Sequence, residues 1–70
     1  MFKERLKDLR KNNNVTQKQL ADLLEMSERA YQNYEYGNRE PNFKTAIKIA
    51  DYFDVSLDYL VGRSDDPKRY

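Results

Sequence analysis

Helix starts and stops recur at short intervals along this chain. Thr16, Ser27, Asn42 and Ser56 each precede a stretch with apolar residues at helical spacing. In that position a side-chain oxygen can accept from one of the free N–H groups at a helix start. Gly37 and Gly62 follow two of these stretches, where a left-handed cap closes a helix without steric cost. Asn12-Asn13-Asn14 interrupts another, because asparagine competes with helical hydrogen bonding and tolerates left-handed backbone. No segment alternates apolar and polar residues as a half-buried strand does. The expected fold is all-α and compact, with five short helices.

The first helix is expected from Phe2 to Asn12, with Phe2, Leu6 and Leu9 inward and Lys3, Glu4, Lys7, Asp8 and Lys11 outward. Thr16-Gln17-Lys18-Gln19 reads as a capping box opening a second helix, whose inner face is Leu20, Ala21 and Leu24. That helix must stop at Leu24, since Ser27 caps the next one three residues later. Two helices joined by so short a turn, with small Ala21 at their approach, form a helix-turn-helix pattern. The third helix, Glu28 to Tyr36, turns Ser27, Ala30, Tyr31 and Tyr34 to one side and Glu28, Arg29, Gln32, Asn33 and Tyr36 to the other. The second group is planar and hydrogen-bonding, unlike the Lys and Glu mixture of a merely solvated face. Asn42 caps a fourth helix, Phe43 to Phe53, with Phe43, Ala46, Ile47, Ala50 and Phe53 expected inward, and Ser56 caps a last one, Leu57 to Val61. Residues 1–63 make one domain, and the polar Ser64 to Tyr70 stretch, with Pro67, is expected to be a flexible tail.

Composition narrows the chemistry. The 70 residues include no Cys and no His, which removes disulfides, thiol nucleophiles and the usual zinc sites. Ser27, Ser56 and Ser64 have no histidine to activate them, and Gly37 and Gly62 lie too far apart to cradle a phosphate. Neither enzymatic activity nor a cofactor is expected. No apolar run approaches the roughly 18 residues of a membrane span and no signal peptide is visible, so a cytoplasmic location is expected.

The run Thr16-Gln17-Lys18-Gln19-Leu20-Ala21-Asp22-Leu23-Leu24, then Met26-Ser27, then Tyr34 to Pro41, resembles the lambda-repressor-like, Cro-type (Xre) helix-turn-helix family. Arg5 to Arg10 is similar to that family's first helix and Ala50 to Gly62 to its last two. The resemblance implies a five-helix domain that binds double-stranded operator DNA as a homodimer and mostly represses transcription. It implies no cofactor, membrane or small-molecule ligand. By resemblance the third helix is the recognition helix in the major groove. Base reading then falls to Arg29, Gln32 and Asn33, with Glu28 a lesser candidate, since Arg suits guanine and Gln or Asn suits adenine. Phosphate contacts fall to Gln17, Asn38 and Arg39, with Tyr36 against the sugar-phosphate backbone. The family pattern also pairs an arginine at Arg10 with a glutamate at Glu35. On the last helix, Leu57 and Leu60 are expected in the core, leaving Tyr59 and Val61 for a dimer interface.

Three features depart from the family pattern. Glu25 and Asp54 stand where glycines are common, and Tyr31 stands where isoleucine is common, bringing a hydroxyl that must find a partner or water. Charge is the third. The net charge is +1 overall, but residues 12–40 set Lys18, Arg29 and Arg39 against Asp22, Glu25, Glu28, Glu35 and Glu40, for −2. DNA-binding surfaces usually carry excess positive charge. The alternative reading is a protein-binding module of antitoxin or antirepressor type on the same fold.

Overall fold

A computed structural model of the chain describes residues 2–69; Tyr70, the end of the expected tail, lies outside them. The helices are α1 (Phe2–Asn12), α2 (Gln17–Leu23), α3 (Glu28–Tyr36), α4 (Phe43–Phe53) and α5 (Leu57–Leu60). Each cap residue does the work its chemistry allows. The Thr16 hydroxyl accepts from the Gln19 N–H at 3.0 Å while the Gln19 side chain accepts from the Thr16 N–H at 2.8 Å. Ser27, Asn42 and Ser56 accept from Ala30, Thr45 and Tyr59 in the same way. Such caps stabilise a helix start by about 1 kcal/mol each. That matters for helices this short, which water alone would not hold.

The turn between α2 and α3 is closed by the Met26 N–H donating to the Ala21 carbonyl at 3.0 Å. Glu25 takes the left-handed conformation there, with φ 58°, and Asp54 does so after α4, with φ 56°. Both are the positions at which the resemblance led to an expectation of glycine. Ala21 is fully covered, which lets the two helices cross closely. Leu6, Leu20, Tyr31, Ile49 and Leu60 form the centre of the core, with Tyr34, Ala46, Ala50 and Val55 around them.

The inner face of α4 differs from the one read in the sequence. Phe43 and Ile47, expected inward, are 72% and 44% exposed, whereas Ile49 is fully buried beside Ala46 and Ala50. α4 carries apolar residues on nearly every side, so periodicity leaves its rotation open, and packing against Val55 and Leu60 decides it. The last helix ends one residue earlier than expected, at Leu60, with Val61 as its cap.

The residues after Gly62 lie back along α4 and α5. The Ser56 N–H donates to the Pro67 carbonyl at 2.9 Å, and Arg69 reaches Asp51 at 2.6 Å. Arg5 of α1 holds the same region from the other side. Its guanidinium donates to the carbonyls of Tyr59 and Ser64 and lies 3.9 Å from the centre of the Tyr59 ring. No helix among the described residues is long and apolar enough to cross a membrane.

Candidate nucleic-acid interface

The outward side of α3 is built by the inward one. Tyr31 and Tyr34 are buried edge-to-face with ring centres 6.2 Å apart, which fixes the rotation of the helix. Glu28 and Arg29 are consequently exposed, Gln32 and Asn33 half-buried, and Tyr36 exposed. At the end of α3, Gly37 adopts φ 84°. The Asn38 and Arg39 N–H groups then donate to the Asn33 carbonyl at 3.0 and 3.3 Å. Asn38 and Arg39 thus leave the helix on a tethered turn, both exposed. The Lys3 stem passes so close to Gly37 that a Cβ there would meet it at 2.8 Å.

Beneath this face lies a buried carboxylate. Glu35 receives Arg10 Nε at 2.5 Å on Oε2 and Arg10 Nη2 at 3.1 Å on Oε1. Tyr31 donates its hydroxyl to Oε2 at 2.5 Å, and Gln17 donates Nε2 to Oε1 at 3.1 Å. Arg10 also donates to the Val15 carbonyl at 3.1 Å, tying α1 to the loop before α2. Burial pushes the Glu35 carboxyl up, but the bonds from Arg10, Tyr31 and Gln17 outweigh it and hold the group below the usual carboxylate range. Burial and the bond to Glu35 raise the Tyr31 phenol far above its ordinary value, so it stays a neutral donor. The bond to Glu35 likewise raises Arg10. Every buried side-chain polar atom among the described residues has a partner.

The network reaches the surface. Gln17 Oε1 accepts from Gln32 Nε2 at 3.1 Å, so Gln17, expected on phosphate, and Gln32, expected on a base, touch each other. The Tyr31 hydroxyl, expected to need a partner, finds it in Glu35, whereas the Gln17–Gln32 contact has no sign in the sequence, which shows two separate amides. Long side chains from different helices meet through tertiary packing, and residue spacing carries no sign of it. Arg5 was missed for the same reason. Tyr59, on α5, and Val61, its cap, lie apart from this network, and α5 packs chiefly on α1 and α4. Tyr59 is half-buried under Arg5, while Val61 is 38% exposed.

Comparison with known proteins agrees with this architecture. The Helix-turn-helix family model matches residues 6–60. The chain is 49% identical over 67 residues to the uncharacterized HTH-type transcriptional regulator YqaE of Bacillus subtilis, covering 94% of this chain and 58% of that protein. It is 44% identical over 62 residues to the cryptic phage CTXphi transcriptional repressor RstR of Vibrio cholerae, covering 89% of this chain and 55% of that protein. Its fold superposes on the solution structure of the DNA-binding domain of the P22 C2 repressor with a TM-score of 0.80 at 26% identity, covering 87% and 80% of the two chains. The chain spans a little over half the length of the curated relatives it matches. It belongs to the Xre/Cro-type, lambda-repressor-like family of helix-turn-helix DNA-binding domains.

Proposed function

We propose that the protein is a sequence-specific transcriptional regulator of the cytoplasm, acting as a repressor, and that two copies bind a palindromic operator with α3 of each in the major groove. The observation that carries this reading is the outward face of α3. Arg29, Gln32 and Asn33 share it, with Glu28 at its start, on a helix locked from below by the Arg10–Glu35 pair. Arg suits guanine O6 and N7, and the amides suit adenine N6 and N7. Asn38, Arg39 and Tyr36 flank that face in positions suited to phosphate and sugar, with Gln17 at the first turn of α2. Repression follows the likeness to the Vibrio phage repressor.

The acidic balance of residues 12–40 favours a second reading, a surface for a protein partner. Three of the five carboxylates have cationic neighbours within the chain. Glu35 is held by Arg10, Asp22 lies 3.6 Å from Lys18, and Glu25 lies 3.7 Å from Lys48. Arg10 and Lys48 lie outside residues 12–40 and bring the segment's −2 to neutral, with Glu28 and Glu40 matched by Arg29 and Arg39, which weakens the objection to DNA. Binding to a library of random duplexes, with enriched sites sequenced, decides between the two. Enrichment of a palindrome is the expected result; no enrichment at low salt would transfer the assignment to a protein partner.

A further inference from the structure

The two ends of a glutamine amide are nearly the same size, so sterics do not choose which end faces a neighbour; its hydrogen-bond partners do. At Gln17 the partner leaves no choice. Glu35 takes Arg10 through two nitrogens and the Tyr31 hydroxyl besides, and a carboxylate held ionised accepts only. Gln17 must therefore turn Nε2 toward Glu35, and its Oε1 faces Gln32. An oxygen there demands a donor, so Gln32 turns its own Nε2 inward. The charge of Glu35 is thus passed outward as an orientation, across two amides.

We infer that the buried Arg10–Tyr31–Glu35 cluster, acting through Gln17, fixes the polarity of the Gln32 amide and makes Gln32 a reader of adenine. This rests on the DNA reading above. The bond to Gln17 leaves Gln32 its Oε1 and one N–H, an acceptor and a donor side by side. Adenine offers the matching donor at N6 and acceptor at N7. Guanine offers acceptors at both O6 and N7, and a fixed Oε1 meets an oxygen there. A freely rotating glutamine could answer guanine with its NH₂ group; one held by Gln17 cannot. Gln17 is in this sense a positioning residue, whatever it also contributes to phosphate binding.

Gln17→Met tests this, because it keeps the length of the side chain and removes both ends of the relay. Duplexes enriched by the wild-type protein are compared with single-base variants at every position, for Gln17→Met, Gln32→Ala and the double variant. Adenine is expected at the base pair whose preference Gln32→Ala abolishes. Its advantage over guanine there should fall from about tenfold or more to under about threefold in Gln17→Met, with other preferences kept. The double variant should match Gln32→Ala at that base pair. An equal loss on all sequences, additive losses in the double variant, or a base other than adenine would overturn the inference. In the free protein the side-chain ¹⁵N–¹H signals of Gln32 should shift in Gln17→Met while circular dichroism shows the helices intact. Unmoved signals would overturn the relay. A wild-type protein that enriches no site would overturn the DNA reading and the adenine assignment together, and the Gln32 signals tell that failure from a failed relay.

Discussion

Arg29 stands exposed near the start of α3, with its charge turned away from the core. Arg29→Ala is expected to cost about 1–3 kcal/mol at one base pair of each half-site and to leave the melting temperature unchanged. Titration of single-base operator variants checks this; an equal loss on every sequence would make Arg29 a phosphate contact instead. Glu35 behaves in the opposite manner, as a residue whose loss is felt in folding. Its side chain is 1% exposed, and that of Arg10 is 13% exposed. Arg10→Met or Glu35→Met should each cost about 3–5 kcal/mol, because either leaves the partner charge buried without its counter-charge. The double variant should be clearly more stable than the sum of the two, and additive losses in thermal melts would refute the coupling. The pH dependence follows from the lowered pKa of Glu35. In the unfolded chain the group takes up its proton at a higher pH than in the native state. Its contribution is therefore present above the ordinary carboxylate range and is lost as pH falls through the lower, native value. Denaturant titrations across acid pH should show this slope in the wild type and a reduced one in Glu35→Gln.

At the scale of the helix, two positions carry strain that the sequence announces. Glu25 and Asp54 hold left-handed backbone with an L side chain. Their ion pairs, with Lys48 at 3.7 Å and Arg69 at 3.6 Å, involve side chains 85% and 89% exposed and return little. Glu25→Gly and Asp54→Gly should each stabilise the domain by about 0.5–1 kcal/mol, the relief of strain being partly offset by the freedom glycine adds to the unfolded chain. Differential scanning calorimetry would show a rise of several degrees, and a fall would mean these side chains do more than the structure shows. Helix boundaries were legible for a local reason: Thr16, Ser27, Asn42 and Ser56 bond to backbone three residues on, within reach of a sequence reading. The rotation of α4 was not. With Phe43, Ala46, Ile47, Ile49, Ala50 and Phe53 distributed around it, several faces are apolar enough to be the inner one, and only packing against α5 selects among them. The outward side of α3 was legible as a set of residue types, whereas the bond between Gln17 and Gln32 spans two helices and depends on how they cross.

For the molecule as a whole, size bears on how it meets DNA. Its longest dimension is 31 Å, and α3 is the one helix proposed to enter the major groove. Successive half-sites on one side of a duplex lie about 34 Å apart, so reading both takes two copies. Val61 is the exposed apolar residue on the α5 cap, while Tyr59 is already engaged by Arg5. Val61→Glu should therefore weaken pairing on DNA without unfolding the chain. Sedimentation with a palindromic duplex is expected to give two wild-type copies per operator; one copy at saturation would defeat the dimer.

The grip of Arg5 on Tyr59 and Ser64 joins residues 54 and 59 positions apart in the chain. A growing polypeptide at the ribosome exposes α1 well before the residues Arg5 holds. At about 5–20 residues per second, α1 waits several seconds for them. The α2–α3 turn can form meanwhile from neighbours in sequence, but the helix that anchors Glu35 cannot complete its own contacts until α5 has emerged. A chain stalled before Tyr59 would already hold every residue of the Arg10–Glu35 network but not the carbonyls that Arg5 grips, so α1 would be tied to α3 at one end and left unheld at the other.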